Sequence, residues 1–124
     1  VKQKKVGTYH LGFEQVDLFL IEGYGGEFYC TPEPSSLPRI RIGADLGDFE
    51  DVLAVLFHEV LELLLFRKGC RFNPDDVRTR DHSLYRFFMD HNQFSDICQK
   101  AAEFMDKAIP DMRKSWNKLE KKRG

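Results

Sequence analysis

Between Val52 and Phe66 every side chain is apolar except His58, Glu59 and Glu62. No other stretch of the sequence constrains the fold as strongly. A bilayer-crossing helix needs about 20 predominantly apolar residues, so a run this short, broken by three polar groups, predicts a helix inside a folded domain. Asp48 is placed to cap its N-terminus, with Glu50 and Asp51 favourable in the first turn. Arg67 and Lys68 suit the last turn and Gly69 the position just beyond it, which predicts a helix from about Phe49 to Lys68. On a helical wheel Val55, Leu65 and Phe66 fall on the same side as the polar trio, so no broad solvent stripe remains and the helix is expected to be buried nearly all round. A carboxylate buried in such surroundings needs a partner, because an unpaired buried charge costs several kcal/mol.

The segments before this helix read as sheet. Tyr9, Leu11 and Phe13 alternate with polar or small residues, and Val16 to Ile21 is apolar on both faces. Gly25-Gly26 offers a tight turn into Glu27 to Thr31, so these pieces are expected to form a hairpin. A Pro-rich loop, Thr31 to Pro38, precedes Arg39-Ile40-Arg41-Ile42, a short alternating strand expected at a sheet edge.

Beyond Gly69, Asn73-Pro74-Asp75-Asp76 marks a polar loop, and a short helix is expected over Ser83 to Met89. A longer one should run from Gln93 to Ala108 with Phe94, Ile97, Cys98, Ala101 and Met105 on one face. Pro110 is expected to break it and start a last helix whose stripe is Met112, Trp116 and Leu119. Strands first and helices after give an α+β fold: an antiparallel or mixed sheet of three to four strands, then three to four helices. The 124 residues, with no internal repeat or linker, fit a single domain spanning 1–124.

Cys30, Cys70 and Cys98 are odd in number and widely spaced. That pattern argues against a disulfide scaffold or a zinc ribbon and, with no secretory signal in the basic opening, points to the cytoplasm. The formal net charge of −1 conceals an asymmetry. Residues 1–5 hold three lysines, and residues 111–124 hold six basic and two acidic groups, which leaves residues 6–110 at −8. Basic ends on an acidic body could contact nucleic acid or an acidic partner, or could be solvated ends that fray.

His58 and Glu62 stand four residues apart, on one helical face, with Glu59 about 100° further round. Two side chains at this spacing can grip one metal ion while the residue after the first reaches its bound water, the geometry behind HExxH. Here Glu62 replaces the second histidine. A carboxylate is harder and more negative than imidazole, which keeps zinc as the expected ion and admits manganese. A third ligand is expected from downstream. His91, at the start of the helix led by Phe94, is preferred over His82, which lies among charged residues. Cys70 is a softer candidate without a cysteine neighbour, and His10 reads as an outward strand residue.

The combination of Arg39-Ile40-Arg41-Ile42, Leu56-Phe57-His58-Glu59-Val60-Leu61-Glu62 and Asp90-His91-Asn92-Gln93-Phe94 resembles the small zincin-like metallopeptidases, including the minimal phage-type and SprT-like groups. The resemblance covers roughly residues 38–100 and departs from the family at Glu62. It implies a zincin-like fold, a metal held by His58, Glu62 and His91, and Glu59 as general base toward a metal-bound water attacking a protein or peptide substrate. It further implies that the strand before the helix aligns an extended substrate. The competing expectation is a non-catalytic zincin-like interaction or inhibitor protein of phage or mobile-element origin. In that case Arg39, Arg41 or Arg86 would pair with Glu59 and Glu62 in a buried salt network.

Overall fold

The computed structural model describes residues 3–30, 37–45, 47–72 and 86–123. Four strands form the main sheet: β1 (Gln3–Leu11), β2 (Glu14–Ile21), β3 (Gly26–Tyr29) and β4 (Arg39–Gly43). Helix α1 (Phe49–Arg67) follows, then a small pair of strands, β5 (Arg71–Phe72) and β6 (Arg86–Phe87), and finally helix α2 (His91–Arg123).

β1 and β2 are an antiparallel hairpin in which Leu11 faces Glu14 across a two-residue turn. Gly12 supplies that turn at φ 71, a conformation that strains residues carrying a side chain. Phe13, read from its alternation as a strand residue, is the fully exposed tip of this turn. The expected hairpin from β2 into β3 does not form. The sheet order is β1-β2-β4-β3, with β4 parallel to β2 and antiparallel to β3. After β2 the chain crosses the end of β4, held by Gly43 N–H to Gly25 O (2.7 Å), Ala44 N–H to Ile21 O (2.8 Å) and Gly23 N–H to the Asp45 carboxylate (2.7 Å). The crossing lies so close that a Cβ on Gly43 would come within 2.4 Å of the Gly23 carbonyl oxygen. Arg39 to Ile42 is therefore an interior strand, not the expected edge; the edges are β1 and β3.

One face of the sheet is covered by both helices. Val16, Leu18 and Leu20 of β2 and Ile40 and Ile42 of β4 point to that side and are almost completely buried, as period-two alternation requires. Val52, Leu56, Val60 and Leu63 of α1 and Phe104, Met105, Ala108 and Met112 of α2 close over them. The other face is polar, with Lys5 paired to Asp17 (3.2 Å), Arg41 to Glu27 (3.1 Å), and Arg39 stacked on Tyr29.

The α+β class and the mixed four-stranded sheet agree with the sequence. The helix count does not: the described residues contain two helices rather than three or four. Pro110 does not break α2. It lies on the exposed side, where the Asp106 carbonyl that loses its amide partner faces water, and the apolar stripe runs through it from Ala108 to Met112. Continuous burial of that stripe offsets the ~3 kcal/mol that a helical proline costs. Arg86-Phe87, assigned to a short helix, instead pairs with β5, and Phe88 N–H bonds Cys70 O at 2.9 Å. The Thr31–Ser36 part of the Pro-rich loop, the Asn73–Asp76 loop and His82 lie outside the described residues. Among the described residues no helix is long and apolar enough to cross a membrane.

Candidate metal centre

Helix α1 begins where the sequence predicts. Asp48 accepts from the Asp51 N–H at 3.1 Å, while the Asp51 carboxylate accepts from the Asp48 N–H at 3.1 Å, a reciprocal cap. It ends at Lys68, with Gly69 at φ 70. The ends fix the rotation of the helix, and the rotation decides which side chains reach the cleft above it.

Three do. His58 Nε2 lies 3.1 Å from Glu62 Oε2 and 3.8 Å from Glu59 Oε2, and one ligand atom from each of the three falls within 4.8 Å of the others. Their burial is graded: the side chain of His58 is 68% exposed, that of Glu62 17% and that of Glu59 8%. The helix is thus not buried all round. Its outward side, including Ala54, Phe57, His58 and Leu61, meets solvent, because the described elements cover it from the sheet side only.

Edge strand β3 forms the opposite wall. Gly26 sits against α1 where a Cβ would meet Val55 Cγ1 at 2.5 Å and Glu59 Cγ at 3.1 Å, so only glycine lets the strand come this close. Gly26, Glu27 and Phe28 line an open cleft of about 470 Å³ together with His58, Glu59, Glu62 and Arg71.

Arg71 was not among the residues that sequence reasoning singled out. The chain reverses at Gly69, and β5 brings Arg71 back over the last turns of α1. Its guanidinium NH1 is 3.1 Å from Glu62 Oε1, and it stacks over the rings of Phe66 (4.8 Å) and Phe28 (5.7 Å). The expected counter-ions lie elsewhere: Arg41 serves Glu27, Arg39 stacks on Tyr29, and Arg86 is exposed on β6. The available signal was the Gly69 stop, since a helix reversed there returns the next charged residue toward the helix it has left.

Burial pushes the Glu59 carboxyl above its ordinary range; His58 opposes that rise, and the negative charges of Glu62 and Glu27 reinforce it. Among the described residues the one basic side chain within 4 Å of its carboxylate is His58.

His91 opens α2 as an exposed residue and is not part of the trio. Cys70 is buried, and its thiol points to the Lys68 carbonyl at 3.8 Å. His10 is exposed on β1, as expected.

An imidazole and two carboxylates converging on one point are a donor set for a divalent cation of the zinc or manganese kind. Arg71 does not spoil the fit, because it occupies Oε1 of Glu62 and leaves Oε2 on the His58 side. No family model, no curated protein and no solved structure matches this chain.

Proposed function

We propose that the chain is a metal-dependent hydrolase of peptide bonds, with His58 and Glu62 as metal ligands and Glu59 as general base. One observation carries the reading: the His58, Glu59 and Glu62 ligand atoms gather within 4.8 Å at the wall of an open cleft. A bound divalent ion would act as a Lewis acid toward a carbonyl and sharpen the acidity of water. The protein's own groups supply the rest. Glu59, with its pKa raised by burial, can take a proton from water and return it to the departing amine, because a base works best when its pKa approaches the operating pH. Arg71 fixes the Glu62 carboxylate through the oxygen that faces away from His58, as outer partners orient metal ligands. Among the described residues β3 pairs with β4 alone, so its outer edge can receive an extended peptide beside the trio; this role moves to β3 from the Arg39–Ile42 strand.

The test is metal titration of chelator-treated protein. Zinc or manganese should bind near one per chain and raise the melting temperature, since a ligand at a hundredfold excess over its Kd adds about 2.7 kcal/mol. Glu62→Gln should weaken that binding. His91→Ala and His82→Ala titrated in parallel test whether either histidine adds a third ligand to the two from α1. Absence of metal and of any thermal shift would sink the proposal. The second reading, a non-catalytic interaction protein, is favoured by the Arg71–Glu62 pair, which already balances one of the two carboxylates; it expects that metal-free result.

A further inference from the structure

The two basic tracts, separated by the whole sequence, meet in the fold. Lys4 of β1 and Lys122 of α2 line the same groove of about 200 Å³, beside Leu20, Ile21, Glu22 and Leu119. Along α2, Lys114, Lys118, Lys121 and Lys122 are all exposed and fall within an arc of about 100° at 100° per residue. Ion pairs between described residues occupy Lys5, Arg41, Arg67, Lys68, Arg71, Lys100 and Lys107, and none of these pairs involves Lys4, Lys114, Lys118, Lys121 or Lys122. Five lysines thus lie toward one end; Glu22 shares the groove, and Asp111 and Glu120 are the acidic residues of the same stretch of α2.

We infer that this end is a binding surface for the phosphate backbone of a nucleic-acid duplex, independent of base sequence. Charge complementarity supports it: duplex DNA presents a negative charge about every 1.7 Å of its axis, and the stripe from Lys114 to Lys121 rises about 10 Å along the helix. What the patch lacks selects the duplex over other polyanions. A helix that lies on an anionic membrane needs exposed apolar side chains to insert, and here the apolar side of α2 is spent on the body, with Trp116 and Leu119 half-buried. Single strands are held by exposed aromatic rings that stack on bases; every exposed aromatic among the described residues lies outside this stripe and its groove.

The surface is tested by titrating a labelled 20-base-pair DNA duplex into the full chain with EDTA present, so that the outcome is independent of the metal proposal. Neutralising five phosphates predicts that log K falls with log salt at a slope of about −4.5. The variant Lys114→Ala/Lys118→Ala/Lys122→Ala should melt like the parent, bind at least about tenfold more weakly at low salt, and show a slope shallower by roughly 3. Phosphatidylserine vesicles and a single strand of equal length serve as competing ligands. No duplex binding at low salt, an unchanged slope in the triple variant, or stronger binding to vesicles or single strand would overturn the inference.

Discussion

The two helices solve the same packing problem in opposite ways. In α2 the buried residues Ile97, Ala101, Phe104, Met105, Ala108 and Met112 recur at helical spacing, and the charges between them face water. In α1 the pattern is violated in both directions: Glu59 is buried, while Phe57, Leu61 and Phe66 are 43%, 36% and 40% exposed. A sequence consistent at every level specifies structure, and places where that consistency fails mark function or strain. By that criterion most of α2 is scaffold, with buried Ser115 and exposed Phe94 as its exceptions, while among the described residues the one buried ionisable carboxylate, Glu59, lies at the middle of α1, beside β3.

Substitutions on the two sides should therefore differ in sign as well as size. Phe104→Ala should cost the most, about 3–5 kcal/mol in denaturant unfolding, because Phe104 is wholly buried and meets Tyr9 edge-on at 5.6 Å. A loss below ~1 kcal/mol would show that the β1–α2 side is not the rigid half. Next comes Arg71→Met, which leaves the Glu62 carboxylate without its guanidinium partner; a loss of about 1–3 kcal/mol is expected in metal-free protein. Added metal should restore much of that loss if Glu62 is a ligand, and none if it belongs to a salt network.

The smallest effect should carry the opposite sign. Glu59→Gln removes a buried carboxylate at little change of shape and should raise metal-free stability at pH 7, by less than either loss above. The sign follows from linkage: a carboxyl whose pKa is higher folded than unfolded binds more protons in the native state, so its ionisation destabilises the fold. The difference between parent and variant should vanish below the unfolded value of about 4.3, grow as pH rises through the folded value, and level off above it. Thermal melts across that window check it, and a destabilised variant would make Glu59 a structural partner.

What the sequence revealed follows the range of the interactions involved. The limits of α1 were legible because Asp48, Asp51 and Gly69 act on backbone within a turn of themselves. The trio was legible because i, i+4 spacing is a property of the helix alone. The order β1-β2-β4-β3 was not, since it depends on Gly43 admitting a crossing strand, and a glycine in a strand does not announce what lies over it. Arg71 escaped notice for a related reason: its pairing requires β5 to fold back, and β5 exists only as the partner of β6. Pro110 misled because the local rule is correct but is outweighed by an apolar stripe extending far on both sides.

That proline has a consequence for the solvent exchange of α2. Its ring carries no amide proton, and the carbonyl of Asp106 consequently has no helical donor, so the hydrogen-bond ladder is interrupted once near the middle of 33 residues. Openings that begin at the basic end can stop at this interruption instead of travelling the length of the helix. The amides from Arg113 onward should then exchange with deuterium as one group, faster than those between Ala101 and Ala108, and the lysine stripe would sit on a segment able to loosen while the core beneath Phe104 stays closed.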